Sequence, residues 1–104
     1  MKPLRVASVQ MESHPGDRSV NLEKVRRLTV QAARDKAQIV VFPEMCATGY
    51  LHLFPKGEQE LRTFAEPAPG GPWTREMVAL ARQQKLAIGS GLLEVAPDGS
   101  LYNT

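Results

Sequence analysis

The chain has 104 residues, 42% apolar and 23% charged, with a formal net charge of +2. Those proportions suit a folded soluble protein and argue against disorder across most of the length. The charge is too small to recruit nucleic acid, and no stretch approaches the roughly 20 apolar residues that a membrane helix needs.

Leu4 to Met11 predicts a first strand, with β-branched Val6 and Val9 and the small Ala7 and Ser8 for a crowded interior. His14-Pro15-Gly16-Asp17 breaks it as a loop. Asp17 or Ser19 can cap the helix that follows, in which Leu22, Val25, Leu28, Ala32 and Ala33 recur at helical spacing. Lys24, Arg26 and Arg27 read as its solvated outer face rather than a phosphate-binding patch, with Glu23 beside them. The helix is expected to end near Lys36. Ile39-Val40-Val41-Phe42 is a continuous apolar run stopped by Pro43, which suits a strand covered on both faces of a parallel sheet. Strand, helix, strand in this order is a βαβ unit with parallel strands and a right-handed crossover.

Residues 47–73 hold Gly49, Pro55, Gly57, Pro67, Pro69, Gly70, Gly71 and Pro72 and predict a long loop with a short helix over Glu58 to Phe64. Pro69-Gly70-Gly71-Pro72 reads as a plain turn, since no lysine–serine pair accompanies it to hold a phosphate. Trp73 is expected to anchor packing. Thr74 is expected to cap a second main helix, with Met77, Leu80 and Ala81 inward. Leu86 to Val95 reads as a third strand, in which Gly89 and Gly91 suggest close backbone approach. Pro97-Asp98-Gly99 is a turn, and Ser100 to Thr104 opens a fourth strand.

The pattern predicts an α/β layer in which both main helices can cover one sheet face and leave the other apolar face bare. Parallel strands rarely face water, and the last residues stop inside a strand. The expectation is therefore that residues 1–104 are part of a longer fold. The start MKPLRVASVQ lacks the apolar core of a signal peptide. Cys46 is the single cysteine, so a reducing, cytoplasmic setting is expected.

The candidate site is Glu44. It follows a buried strand at its carboxyl end, the edge where open α/β sheets gather ligands. Pro43 fixes the exit of the strand. The loop that follows is expected to half-bury the carboxylate, and desolvation would then make it a usable general base. From position alone, a surface glutamate in a β–α loop is the more natural reading.

The wider pattern points further. Val6-Ala7-Ser8-Val9-Gln10, Asn21-Leu22, Ala37-Gln38-Ile39-Val40-Val41-Phe42-Pro43-Glu44-Met45 and Thr48-Gly49-Tyr50 occur in order. Leu86-Ala87-Ile88-Gly89-Ser90-Gly91 and Leu101-Tyr102-Asn103-Thr104 follow. The ordered set resembles the nitrilase superfamily of carbon–nitrogen hydrolases, from about residue 5 to the end. That resemblance implies a four-layer α-β-β-α sandwich, homo-oligomers paired through a helix face, and a cofactor-free Glu–Lys–Cys triad acting on small amide-type substrates. In such enzymes a cysteine thiolate attacks an amide, carbamoyl or nitrile carbon, and water releases the acid from a thioester or thioimidate. Glu44 matches the glutamate, whose role is general base. The lysine stabilises the oxyanion. Tyr50, in the loop expected to rim the pocket, is the candidate for contact with substrate.

The lysine and nucleophilic cysteine match no position in this chain. Cys46 stands in the wrong motif and reads as a small buried thiol. Lys36 reads as a helix C-terminal cation and Lys56 as solvated. Asp35-Lys36 stands where a glycine is common in the family, a departure that touches a turn. His14 and His52 lack metal-ligand spacing, and no glycine-rich loop follows the first strand, which argues against a dinucleotide fold. Two functions follow: the amino-terminal part of a thiol hydrolase, inactive by itself, or a non-catalytic α/β module that binds a small ligand or a partner.

Overall fold

A computed structural model describes residues 2–49 and 55–104. In chain order the elements are β1 (Val6–Ser8), α1 (Arg18–Arg34), β2 (Ile39–Val41), α2 (Glu58–Arg62), α3 (Pro72–Gln84), β3 (Ala87–Gly89), β4 (Leu93–Val95) and β5 (Leu101–Asn103).

The central sheet is three parallel strands in the order β1-β2-β3. Its register aligns Ala7, Val40 and Ile88 in one row, flanked by the rows Val6-Ile39-Ala87 and Ser8-Val41-Gly89. Side chains alternate between faces along a strand, so Ala7, Val40 and Ile88 share one face. Val25 and Ala32 of α1 and Met77 and Leu80 of α3 join Val40 in a single apolar core. The opposite face keeps Val6 50% and Val41 42% exposed. Both main helices thus cover the same side, and the sheet shows water an apolar face, as the element order predicted.

Asp17 rather than Ser19 caps α1: its carboxylate accepts the Val20 amide at 3.1 Å, and Ser19 Oγ donates to the same oxygen at 2.8 Å. The buried stripe of α1 is Asn21, Val25, Thr29 and Ala32. It holds two polar residues that an apolar count overlooks. The helix stops because Lys36 turns into the left-handed region at φ 67°. Lys36 N–H then donates to Ala33 O at 3.0 Å and Ala37 N–H to Ala32 O at 2.9 Å, a Schellman closure. Glycine suits that conformation best, and here a lysine adopts it.

Two expectations are corrected. The second main helix starts at Pro72, with Gly71 as its cap residue, not at Thr74. Proline needs no amide partner at the first helical position, and the Trp73 amide behind it is taken by the Glu66 carboxylate at 2.6 Å. A Cβ on Gly71 would lie 2.5 Å from Pro67 O and 2.8 Å from Glu66 Oε1, so only glycine lets the loop close over the helix start. The single strand expected over Leu86 to Val95 is two strands in two sheets. The chain breaks at Ser90-Gly91, where the backbone runs against residues 44–45. Leu92 then exchanges hydrogen bonds with Thr104, at 2.8 and 3.0 Å.

β4 and β5 form an antiparallel pair with Leu93 opposite Asn103 and Val95 opposite Leu101. Its turn is held by Asp98, which accepts the Ser100 amide at 2.9 Å, and by Gly99 at φ 88°. Glu66 bridges to β4: its amide donates to Leu93 O, and its carbonyl accepts from Val95 N, each at 3.0 Å.

Candidate active site

Glu44 stands at the carboxyl end of β2, the middle strand of the parallel sheet. Phe42 N–H still pairs with Gly89 O at 2.8 Å, so the sheet holds the chain to within two residues of the carboxylate. Beyond it the backbone turns sharply. Met45 adopts φ 53°, rare for a residue with a side chain, and is only 4% exposed. Thr48 and Gly49 N–H both donate to Met45 O, at 3.3 and 2.7 Å.

Neighbouring elements clamp this turn. Gly91 lies so close that a Cβ on it would sit 2.6 Å from Met45 N and 3.4 Å from Glu44 Cα. Ala47 N–H donates to Gly91 O at 3.3 Å. From α1, the fully buried Asn21 donates through Nδ2 to Ala47 O and to His14 O, both at 2.9 Å, and accepts His14 N–H at 2.6 Å. Ser13 Oγ donates to Cys46 O at 3.1 Å. A backbone held away from its preferred conformation persists only where its surroundings over-determine it.

The expected half-burial of Glu44 is not met: its side chain is exposed. Met45, Cys46, Ala47 and Thr48 turn inward and are buried, while the carboxylate projects past the strand end towards β5. There Asn103 Nδ2 donates to Glu44 Oε1. Among the described residues, Oε2 has no partner. The geometry therefore presents an exposed carboxylate with one oxygen held by Asn103 and the other open.

Cys46 is fully buried in the core. Its Sγ lies 3.2 Å from Ser90 Oγ and 3.7 Å from Gly91 O, and Ser90 Oγ also accepts the Trp73 indole N–H at 2.8 Å. The thiol and the indole thus tie the Glu44 turn to α3 through Ser90, and Trp73 is the packing anchor expected of it, at 3% exposure. Lys56 pairs with Glu60 at 3.4 Å and stands over the Phe64 ring rather than free in solvent. Lys36 serves the chain through its backbone turn. Tyr50 and His52 lie outside the described residues. Among the described residues, no cluster of histidine, cysteine or carboxylate side chains could hold a metal ion, and no helix is long and apolar enough to cross a membrane.

Three side chains escaped the sequence reading. Asn103 and Asn21 appeared there only within the resemblance; their roles depend on partners 59 and 26 positions away. Glu66 is 4% exposed, takes the Trp73 amide on one oxygen and pairs through the other with Arg18. It joins the start of α1 to the start of α3. The one local signal is a glutamate shortly before a Gly-Pro helix start.

The carbon–nitrogen hydrolase family profile matches residues 5–104. The chain belongs to the carbon–nitrogen hydrolase family. A hydrolase of Mycobacterium tuberculosis is 33% identical over 103 residues, covering 97% of this chain and 33% of that protein. A nitrilase of Pyrococcus abyssi is 32% identical over 102 residues, covering 97% of this chain and 37% of that protein. The chain thus spans about a third of the length of these curated relatives. The crystal structure of Saccharomyces cerevisiae Nit3, a member of branch 10 of the nitrilase superfamily, superposes with a TM-score of 0.77 at 21% identity, over 96% of this chain and 37% of that one. An N-terminal amidase superposes at 0.75 with 20% identity, over 96% of this chain and 24% of that one. Those structures establish the fold: this carbon–nitrogen hydrolase chain is α/β and forms part of the α-β-β-α sandwich of the nitrilase type.

Proposed function

We propose that residues 1–104 are the amino-terminal part of a single carbon–nitrogen hydrolase domain, and that Glu44 is its general base. The observation that carries this reading is the Glu44 turn. A carboxylate stands at the carboxyl edge of the central strand just before a left-handed Met45; Gly91 packs on its backbone, Asn21 holds Ala47 further along the turn, and Asn103 holds the carboxylate itself. A surface glutamate needs no such clamp.

In the proposed reaction a cysteine thiol loses its proton to Glu44 and attacks the carbonyl carbon of a small amide or carbamoyl compound. A lysine ammonium holds the oxyanion. The amine takes the proton and leaves, and a thioester remains. Glu44 then takes a proton from water as the water attacks the thioester, and the acid and the thiol are released. The lysine and the nucleophile belong to sequence outside this chain, as does the cover that would exclude water from Glu44. The 104-residue chain alone is expected to show no turnover. A nitrilase among the similar proteins supports a non-peptide C–N substrate. The reading extends to a cytoplasmic enzyme, in keeping with one free, buried thiol, to a homo-oligomer, and to Tyr50 against the substrate.

The test is Glu44→Gln in the protein made from the full reading frame, assayed for ammonia release from a panel of small amides, carbamoyl compounds and nitriles. Loss of a general base is expected to lower kcat by about 10²- to 10⁴-fold. Undiminished hydrolysis would remove Glu44 from the mechanism. The exposure of Glu44 is the observation that favours the second reading, a non-catalytic binding module. That reading stands if the full-length protein hydrolyses none of the panel.

A further inference from the structure

We infer that Asn103 is a positioning residue for Glu44: it holds one carboxylate oxygen so that the other faces the reacting proton. The inference rests on Glu44 as the general base and adds the group that aims it.

Asn103 closes β5 at a place where asparagine has little reason to be. Asparagine is depleted in strands, where β-branched and aromatic side chains pack better. Here its amide reaches across 59 positions to donate to Glu44 Oε1. The strand that carries it is pinned along one edge by the segment that leads into β4. Leu93 pairs with Asn103 itself, and Leu92 and Thr104 exchange two hydrogen bonds beside it. Gly91, next in line, packs on the Glu44–Met45 peptide. One short segment, residues 91–93, therefore fixes both the backbone of Glu44 and the strand that holds its side chain. Displacing the hairpin would move donor and acceptor together.

The chemistry of the donor matters as much as its place. A side-chain amide carries no charge, so it orients a carboxylate without neutralising it. A lysine or arginine there would form an ion pair and oppose proton uptake by the base. With Oε1 occupied, proton transfer falls to Oε2, which has no partner among the described residues. A fixed proton-accepting atom is what a general base requires, because misplacement by about 1 Å can cost 10²-fold in rate.

Two measurements test it. The chain contains two asparagines, Asn21 and Asn103, so 15N-asparagine labelling gives two side-chain amide pairs. Asn21 bonds to backbone groups and serves as the internal control. In Glu44→Gln the Asn103 pair is expected to shift while the Asn21 pair stays. An unmoved Asn103 pair overturns the contact. In the protein from the full reading frame, Asn103→Ala is expected to lower kcat about 10- to 100-fold with KM changed less than about twofold. Asn103→Asp, of the same shape but without the donor, is expected to lose at least as much, and it carries the kinetic test if the alanine variant does not fold. Wild-type kcat in both, with Glu44→Gln inactive, overturns the role of Asn103 alone. Wild-type kcat in Glu44→Gln instead overturns the base on which the role rests.

Discussion

Gly91 and Met45 are in direct backbone contact: a Cβ at position 91 would stand 2.6 Å from the Met45 amide nitrogen. Backbone atoms cannot swing aside as a flexible side chain can. Gly91→Ala should therefore force the two segments apart, costing about 1–3 kcal/mol by analogy with overpacked cores. It should also displace Glu44, which is joined to Met45. Urea denaturation of the 104-residue chain checks the first part; an alanine variant as stable as wild type would show that the two segments are not in contact.

Lys36 tests the opposite case, a residue with a side chain where glycine is preferred. At φ 67° it bears a left-handed conformation that costs an L-residue roughly 1–2 kcal/mol. Glycine loses about 0.5–1 kcal/mol of that advantage to the entropy of the unfolded chain. Lys36→Gly is expected to raise stability by up to about 1 kcal/mol, read as a higher urea midpoint at unchanged slope. A lower midpoint would mean that the lysine side chain contributes more than its backbone costs.

The pH dependence of α1 follows from Asp17. The Val20 amide, then the Ser19 hydroxyl, hold its carboxyl below the ordinary value. A group whose folded value is depressed binds its proton more readily when unfolded, so the cap stabilises above the unfolded value. That stabilisation is lost as pH falls through the lower, folded value. Asp17→Ala should melt earlier than wild type at neutral pH, and the gap should close on acidification below pH 3.8. A gap independent of pH would mean that the cap acts without its charge.

Val6 and Val41 predict the behaviour of the bare sheet face. They lie on the face opposite Val40 and are 50% and 42% exposed. The 104-residue chain should self-associate at high concentration, and Val6→Thr with Val41→Thr should weaken the association, because threonine keeps the β-branched shape while lowering the apolar area. Sedimentation velocity reads this directly. Equal sedimentation of both forms as monomers would show that the face is not sticky.

Much of the architecture was legible because it is written in local spacing. Ile39 to Phe42 announced a central strand, and Asp17 announced a helix start. Val25 and Ala32 announced the buried stripe of α1. The bare sheet face followed from counting helices against faces. Misreadings came where a distant group decided the outcome. The start of α3 depends on the Glu66 carboxylate taking the Trp73 amide, which freed Pro72 to lead the helix. The break in the strand expected over Leu86 to Val95 depends on Gly91 meeting Met45. Neither partner lies within a helical turn or a strand repeat of the residue it affects.

The amino-acid order alone determined that a parallel strand would end in Pro43-Glu44, because an apolar run stopped by proline has few other fates. It determined the family pattern as well. Tertiary structure decided how Glu44 is held: exposed rather than half-buried, with its backbone under Gly91 and one oxygen on Asn103. The reason is physical. Periodicity reports which face of an element is apolar, whereas solvation and hydrogen bonding of one side chain depend on elements that only folding brings within a few ångströms.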